Sequence, residues 1–132
     1  MLQPARQCYL DRLHCLDLRL CQLTGSDVLN KQICKMAGLS PDAMMQLSFQ
    51  LANDLVHSRP AATYESCSTA AFKHGRTETI RSASPNTRRF VELFRTSTNW
   101  AEGKSNDELF TALEAVSKSH VTLIKEAAMG QD

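Results

Sequence analysis

Tyr64-Glu65-Ser66-Cys67-Ser68-Thr69-Ala70-Ala71-Phe72-Lys73-His74-Gly75-Arg76-Thr77-Glu78-Thr79-Ile80-Arg81 is the stretch on which the reading of this chain turns. It is rich in Thr and Ser and carries no strong helical stripe. Tyr64, Phe72 and Ile80 are spaced among polar residues, a composition that suits strands or extended runs. Thr69-Ala70-Ala71 fits a helical turn as well as a link between strands. The run holds more hydroxyls, carboxylates and guanidinium groups than a solvated loop needs, and a plain core cannot satisfy them cheaply.

Helical patterns lie on both sides of it. Upstream, Ser40 is a good N-cap, Pro41 fits the first helical position, and Asp42 meets the positive end of the dipole. Met44, Leu47, Leu51 and Leu55 then make one stripe, with Met45, Phe49, Ala52 and Val56 as a second beside it. So wide an apolar arc predicts a helix buried over much of its surface. Ser58-Arg59-Pro60 ends it. Before it, a short segment carries Lys31 and Lys35 and stops at Gly38. Earlier still, Tyr9/Leu10, Leu13, Leu16/Leu20 and Leu23 predict a helix over residues 5–23, followed by a turn at Thr24-Gly25-Ser26-Asp27.

Downstream, Ser84-Pro85 repeats the cap-plus-proline start, and Phe90, Val91, Leu93 and Phe94 predict a short helix. A polar loop follows from Trp100 to Asn106. Ser105-Asn106-Asp107-Glu108 has a capping-box pattern. Leu109, Ala112/Leu113, Val116, His120, Leu123/Ile124 and Ala127 continue at helical spacing until Gly130. The fold class is therefore α+β, with helices packed on a short extended or mixed-sheet section. The apolar faces exceed what so few elements can cover, so the chain reads as a piece of a larger domain. Those faces would also suit association with a partner.

Composition narrows the function classes. The 132 residues hold 15 Lys and Arg against 14 Asp and Glu, a formal charge of +1. That balance does not suggest a nucleic-acid binder. No apolar run approaches the roughly 18 residues that span a bilayer. The start lacks the apolar core of a secretory signal, and Asp11 and Asp17 do not suit a mitochondrial presequence. Cys8, Cys15, Cys21, Cys34 and Cys67 are odd in number and lack CxxC spacing, so free thiols are expected rather than a disulfide framework or a zinc site. No metal is expected.

The candidates for chemistry are few. Lys31 and Lys35, four apart, share a face on a helix and suit a phosphate; a solvated basic face is the commoner meaning of that spacing alone. Tyr64 and Thr77 supply neutral hydroxyl donors for a carboxylate, against ordinary roles as a core aromatic and strand filler. Arg76 and Glu65 read as a structural ion pair or separate buried anchors. His14, His57, His74 and His120 are the bases near neutral pKa. His120 falls on an apolar stripe and reads as a packed core residue, and His74 as a surface one. Cys67 and Ser68 have no base placed to activate them.

Taken together, Lys31-x3-Lys35-x3-Leu39-Ser40-Pro41-Asp42, the run from Tyr64 to Arg81, and Lys125-Glu126-Ala127-Ala128-Met129-Gly130-Gln131 resemble the choline/carnitine acyltransferase family, nearest its long-chain mitochondrial branch. The likeness covers residues 30–132, read as a partial catalytic domain of that family, with residues 1–29 an unmatched leader. It implies coenzyme A binding by Lys31, Lys35, Ser40 and Asp42, the lysines approaching the 3′-phosphate and Asp42 accepting from the adenine end. It implies carnitine binding by Tyr64, Ser66 and Thr77. The reaction implied is reversible acyl transfer between coenzyme A and the carnitine hydroxyl, with acyl-CoA and carnitine as substrates and no permanently bound cofactor. The segment bearing the family's catalytic His is not matched, so the chain is expected to be inactive alone. The resemblance implies a place at the matrix side of the mitochondrial inner membrane, although no targeting segment or membrane attachment is visible. Where the family has Gly before the first lysine this chain has Asn30, which tolerates left-handed backbone. The competing readings are a non-catalytic helical interaction module and a nucleotide-binding module using Lys31, Lys35 and Asp42.

Overall fold

The computed structural model describes residues 2–22, 29–97 and 106–131. In chain order the elements are α1 (Leu2–Leu13), α2 (Lys31–Met36), α3 (Pro41–His57), β1 (Glu65–Ser68), β2 (Thr77–Ile80), α4 (Pro85–Ser97) and α5 (Asn106–Met129). The two strands form one antiparallel hairpin. The α+β class expected from the sequence is therefore the one observed.

Most helix ends fall where their side chains put them. Ser40 caps α3, its Oγ accepting from the Ala43 N–H at 3.3 Å, with Pro41 at the first position. Ser58 leaves α3 in the left-handed region at φ 53. Ser84 Oγ accepts from the Thr87 N–H at 3.2 Å just ahead of α4. Between α2 and α3, Gly38 has φ +72. There the Gly38 N–H reaches the Lys35 carbonyl and the Leu39 N–H reaches the Cys34 carbonyl. This Schellman-type closure needs left-handed backbone, which glycine adopts without a Cβ penalty. It turns the chain directly from the lysine helix into the cap of α3.

Two expectations are corrected. The helix predicted over residues 5–23 ends at Leu13, and residues 16–22 have no regular structure. Apart from half-buried Leu10, the described side chains of residues 3–22 are exposed. Among the described residues, α1 packs on no other element. An apolar period with no surface to cover gains nothing from tertiary packing, and a short helix is marginal without that gain. In α3, Met44 and Leu47 are buried, but Met45, Phe49, Ala52 and Val56 are all exposed. The wide apolar arc is thus covered on one side only. The turn expected at residues 24–27, the loop at 100–105 and the cap at residue 105 lie outside the described residues.

Two apolar clusters hold the rest. The larger joins Cys34, Leu39, Ala43, Met44, Leu47, Phe90, Ala112 and Val116, flanked by Leu51, Leu93, Phe94, Leu109 and Leu113. The smaller joins Cys67, Ile80 and Ala127, flanked by Leu123, Ile124 and Ala128. Helix α5 contributes to both. Each fully buried Leu or Met contributes about 1.5–3 kcal/mol, so the helical cluster dominates stability. All five cysteines are free thiols. Among the described residues no helix is long and apolar enough to cross a membrane.

Candidate functional site

The hairpin register sorts its side chains onto two faces. Ser66 pairs with Thr79, Cys67 with Glu78, Ser68 with Thr77, and Glu65 with Ile80. Because side chains alternate along a strand, Glu65, Cys67, Glu78 and Ile80 share the face turned toward α5. Ser66, Ser68, Thr77 and Thr79 share the open face. Cys67 and Ile80 are buried, whereas Ser66, Ser68 and Thr77 are exposed. Tyr64, one residue ahead of β1, is 71% exposed. The hairpin loop is closed by hydrogen bonds from Phe72 N to the Thr69 carbonyl and from Gly75 N to the Phe72 carbonyl. A Cβ at Gly75 would overlap the Thr69 carbonyl oxygen, so glycine is required there for close approach of the two limbs. The extended reading of this segment holds, and Thr69-Ala70-Ala71 enters a turn.

Lys31 and Lys35 both lie on α2 and are exposed. Asn30 does not use left-handed backbone. It is extended at φ −138, ψ 169 and caps α2, its side chain accepting from the Gln32 and Ile33 N–H groups. The carboxamide thus provides a helix start by a different device from the one expected.

The junction between the two motif-bearing segments is built by α5. Ser117 Oγ accepts the Ser40 N–H at 2.8 Å. One turn later, His120 Nε2 lies 3.1 Å from Asp42 Oδ2 and 3.7 Å from Glu65 Oε2. An ionised carboxylate can only accept, so the imidazole donates from Nε2 to Asp42. The His120 side chain is 4% exposed, against 18% for Glu65 and 42% for Asp42. Glu65 Oε2 is buried without a hydrogen-bond partner. Burial chiefly, and then the neighbouring Asp42 charge, push the Glu65 carboxyl above its ordinary value of 4.5. The His120 imidazole pulls the other way, and the close approach of the Asp42 carboxyl favours the protonated form further. The three donor atoms lie within 4.8 Å of one another. That spacing could also suit a cation, but the His120–Asp42 hydrogen bond already accounts for the close approach.

The expected residues are therefore only partly gathered. Asp42 meets Glu65, which stands between Tyr64 and Ser66 in sequence. Ser66 and Thr77 share one open face. Ser40 is engaged as a helix cap. A cavity of about 600 Å³ is lined by Gln50, Asp54, Thr87, Arg88 and Arg95, among others, and by none of the predicted binding residues. Arg76 is exposed and Glu65 is half-buried with one oxygen out of water. His120 was legible as a buried core residue but not as the link between two motifs. Its partners stand 78 and 55 positions away, and nothing local signals them. The only hint is general: a buried imidazole must find polar partners somewhere.

Comparison with known proteins places these segments. Residues 3–132 match the model of a family described as Choline/Carnitine o-acyltransferase. The chain is 52% identical over 101 residues to the mitochondrial carnitine O-palmitoyltransferase 2 of Xenopus tropicalis and to that of Homo sapiens. It is 30% identical over 117 residues to choline O-acetyltransferase of Danio rerio. These alignments cover 76% of this chain for the first two and 89% for the third, but only 15% and 18% of the relatives. The chain thus spans about 15% of the length of the palmitoyltransferases it matches. With a match that runs almost end to end and identity of this order, the chain belongs to the choline/carnitine O-acyltransferase family.

Proposed function

We propose that this chain carries parts of the coenzyme A and carnitine sites of a long-chain carnitine O-acyltransferase acting in mitochondrial fatty acid metabolism. The observation that supports this best is the meeting of Asp42 with Glu65 at His120, which joins the two motif-bearing segments into one structure. On this reading Lys31 and Lys35 attract the terminal phosphate of coenzyme A from one exposed helical face. Ser40 and Asp42 contribute at the start of α3. Tyr64, Ser66 and Thr77 offer hydroxyl donors to the carboxylate of carnitine. Residues 30–132 carry all of these side chains, although the family match itself begins at residue 3. The location follows the mitochondrial relatives.

Calorimetric titration of the purified chain with coenzyme A tests the reading. Binding that falls at least tenfold in Lys31→Ala/Lys35→Ala supports it. Equal binding by the variant rejects the lysine assignment. The isolated chain is expected to show no acyl transfer between palmitoyl-CoA and carnitine above background; measurable turnover would correct that expectation.

A second reading, a helical interaction module, is favoured by the exposed stripe of Met45, Phe49, Ala52 and Val56 on α3. Exposed apolar faces of this kind mark interaction surfaces. Self-association that grows with concentration, without coenzyme A binding, would select it.

A further inference from the structure

We propose that His120 is a positioning residue that couples the two half-sites, so that occupation of one tightens the other. The inference rests on the assignment of coenzyme A to the Asp42 side and carnitine to the hairpin side. It adds a role that no motif carries. One buried N–H stands before two carboxylates, 3.1 Å from Asp42 and 3.7 Å from Glu65. Only the nearer one is within hydrogen-bond reach. The farther oxygen, Glu65 Oε2, is buried and unpaired, a state that costs free energy.

The arrangement therefore has two unequal settings. While Asp42 lacks another donor, it holds the imidazole N–H and Glu65 goes without. A ligand that donates to Asp42 Oδ2, the oxygen facing the imidazole, competes for that acceptor and weakens its hold, which favours turning the N–H toward Glu65 and its orphaned oxygen. Glu65 opens β1, one residue from Tyr64 and one from Ser66, so its anchoring fixes the strand that presents those hydroxyls. Ser117 holds the backbone of Ser40 from the same helix, which keeps α5 and the start of α3 in register while the imidazole changes partner. The coupling is reciprocal by linkage: each ligand must tighten the other by the same factor.

The full chain, labelled with 15N, provides the test. Coenzyme A alone should shift the backbone amides of Glu65 through Ser68. It should also lower the carnitine Kd by roughly fivefold or more, the lower end of ordinary coupling. His120→Leu fills the apolar position on α5 without a donor; both effects should disappear while the helical core keeps its amide pattern. His120→Gln keeps an N–H donor and should restore part of both. Equal loss of both effects in the two variants, with Tm lowered in each, would show a role in folding alone and would overturn the inference. Transmission that survives in His120→Leu would show that the Asp42 and Glu65 carboxyls communicate directly, and would overturn the inference. Coenzyme A binding with no effect on β1 in the native chain would overturn it too, leaving the site assignment intact. No binding of coenzyme A by the native chain would remove the assignment and the inference together.

Discussion

The two halves of α5 support neighbours of very different kinds. Its first half closes a cluster of eight buried apolar residues drawn from α2, the α2–α3 link, α3, α4 and α5 itself. Its second half covers a hairpin of two four-residue strands, with Cys67, Ile80 and Ala127 as the buried apolar members. His120 stands between them. The helical end can hold its shape through packing alone. The hairpin end cannot, since an isolated two-stranded ribbon is marginal in water, and it depends on α5 and on polar contacts at the junction. The contrast is that of a rigid frame carrying a weaker, polar edge.

The largest effect should come from the frame. Leu47, 5% exposed, cut back to Ala should cost about 2–5 kcal/mol through lost burial and the cavity left behind. Urea unfolding would measure it, and a loss below about 1 kcal/mol would mean that the frame is no tighter than the edge. Next is Gly75→Ala. The new methyl group meets a backbone oxygen rather than a yielding side chain, so a cost of about 1–3 kcal/mol is expected. Hydrogen exchange should show that loss in Thr77–Ile80 and not in α3 or α4. A uniform loss of protection would break the distinction between the two regions.

The junction should respond more gently and in a pH-dependent way. The folded protein raises the Glu65 carboxyl above 4.5, so it binds that proton more tightly than the unfolded chain does. The stability this supplies is complete below 4.5 and is lost as pH rises through the raised value. Glu65→Gln, which keeps an amide donor and cannot ionise, should be more stable than the native chain near neutrality. Its stability should also vary less with pH over that window. Parallel pH curves for the two proteins would remove Glu65 from the account. The smallest effect on stability belongs to Lys31→Ala/Lys35→Ala, within about ±0.5 kcal/mol because both side chains are exposed. A larger shift in thermal melting would show that α2 is held by more than Cys34 and its apolar neighbours.

Helix starts at Ser40-Pro41 and Ser84-Pro85, the end at Gly38, the buried stripe of α5 and the extended character of residues 65–68 and 77–80 were all readable along the chain. Each is fixed by neighbours within about one turn, through a cap, a proline or a repeat of side chains. The two misread apolar patterns have one cause. The leucine period of residues 5–23 and the second stripe of α3 are correct as patterns, but a pattern does not say whether a covering surface exists. The Lys31–Lys35 face and the Tyr64–Ser66–Thr77 set were legible as motifs because their residues lie close in sequence.

What the amino-acid order determined alone is therefore local: where helices begin, which residues alternate on a strand, and which family the motifs resemble. Tertiary structure decided which apolar faces are covered, and it brought Asp42, Glu65 and His120 from three separate elements to one point. The reason is that a buried polar group is costly unless it is paired, and which groups come within reach of one another is chosen by packing rather than by distance along the chain.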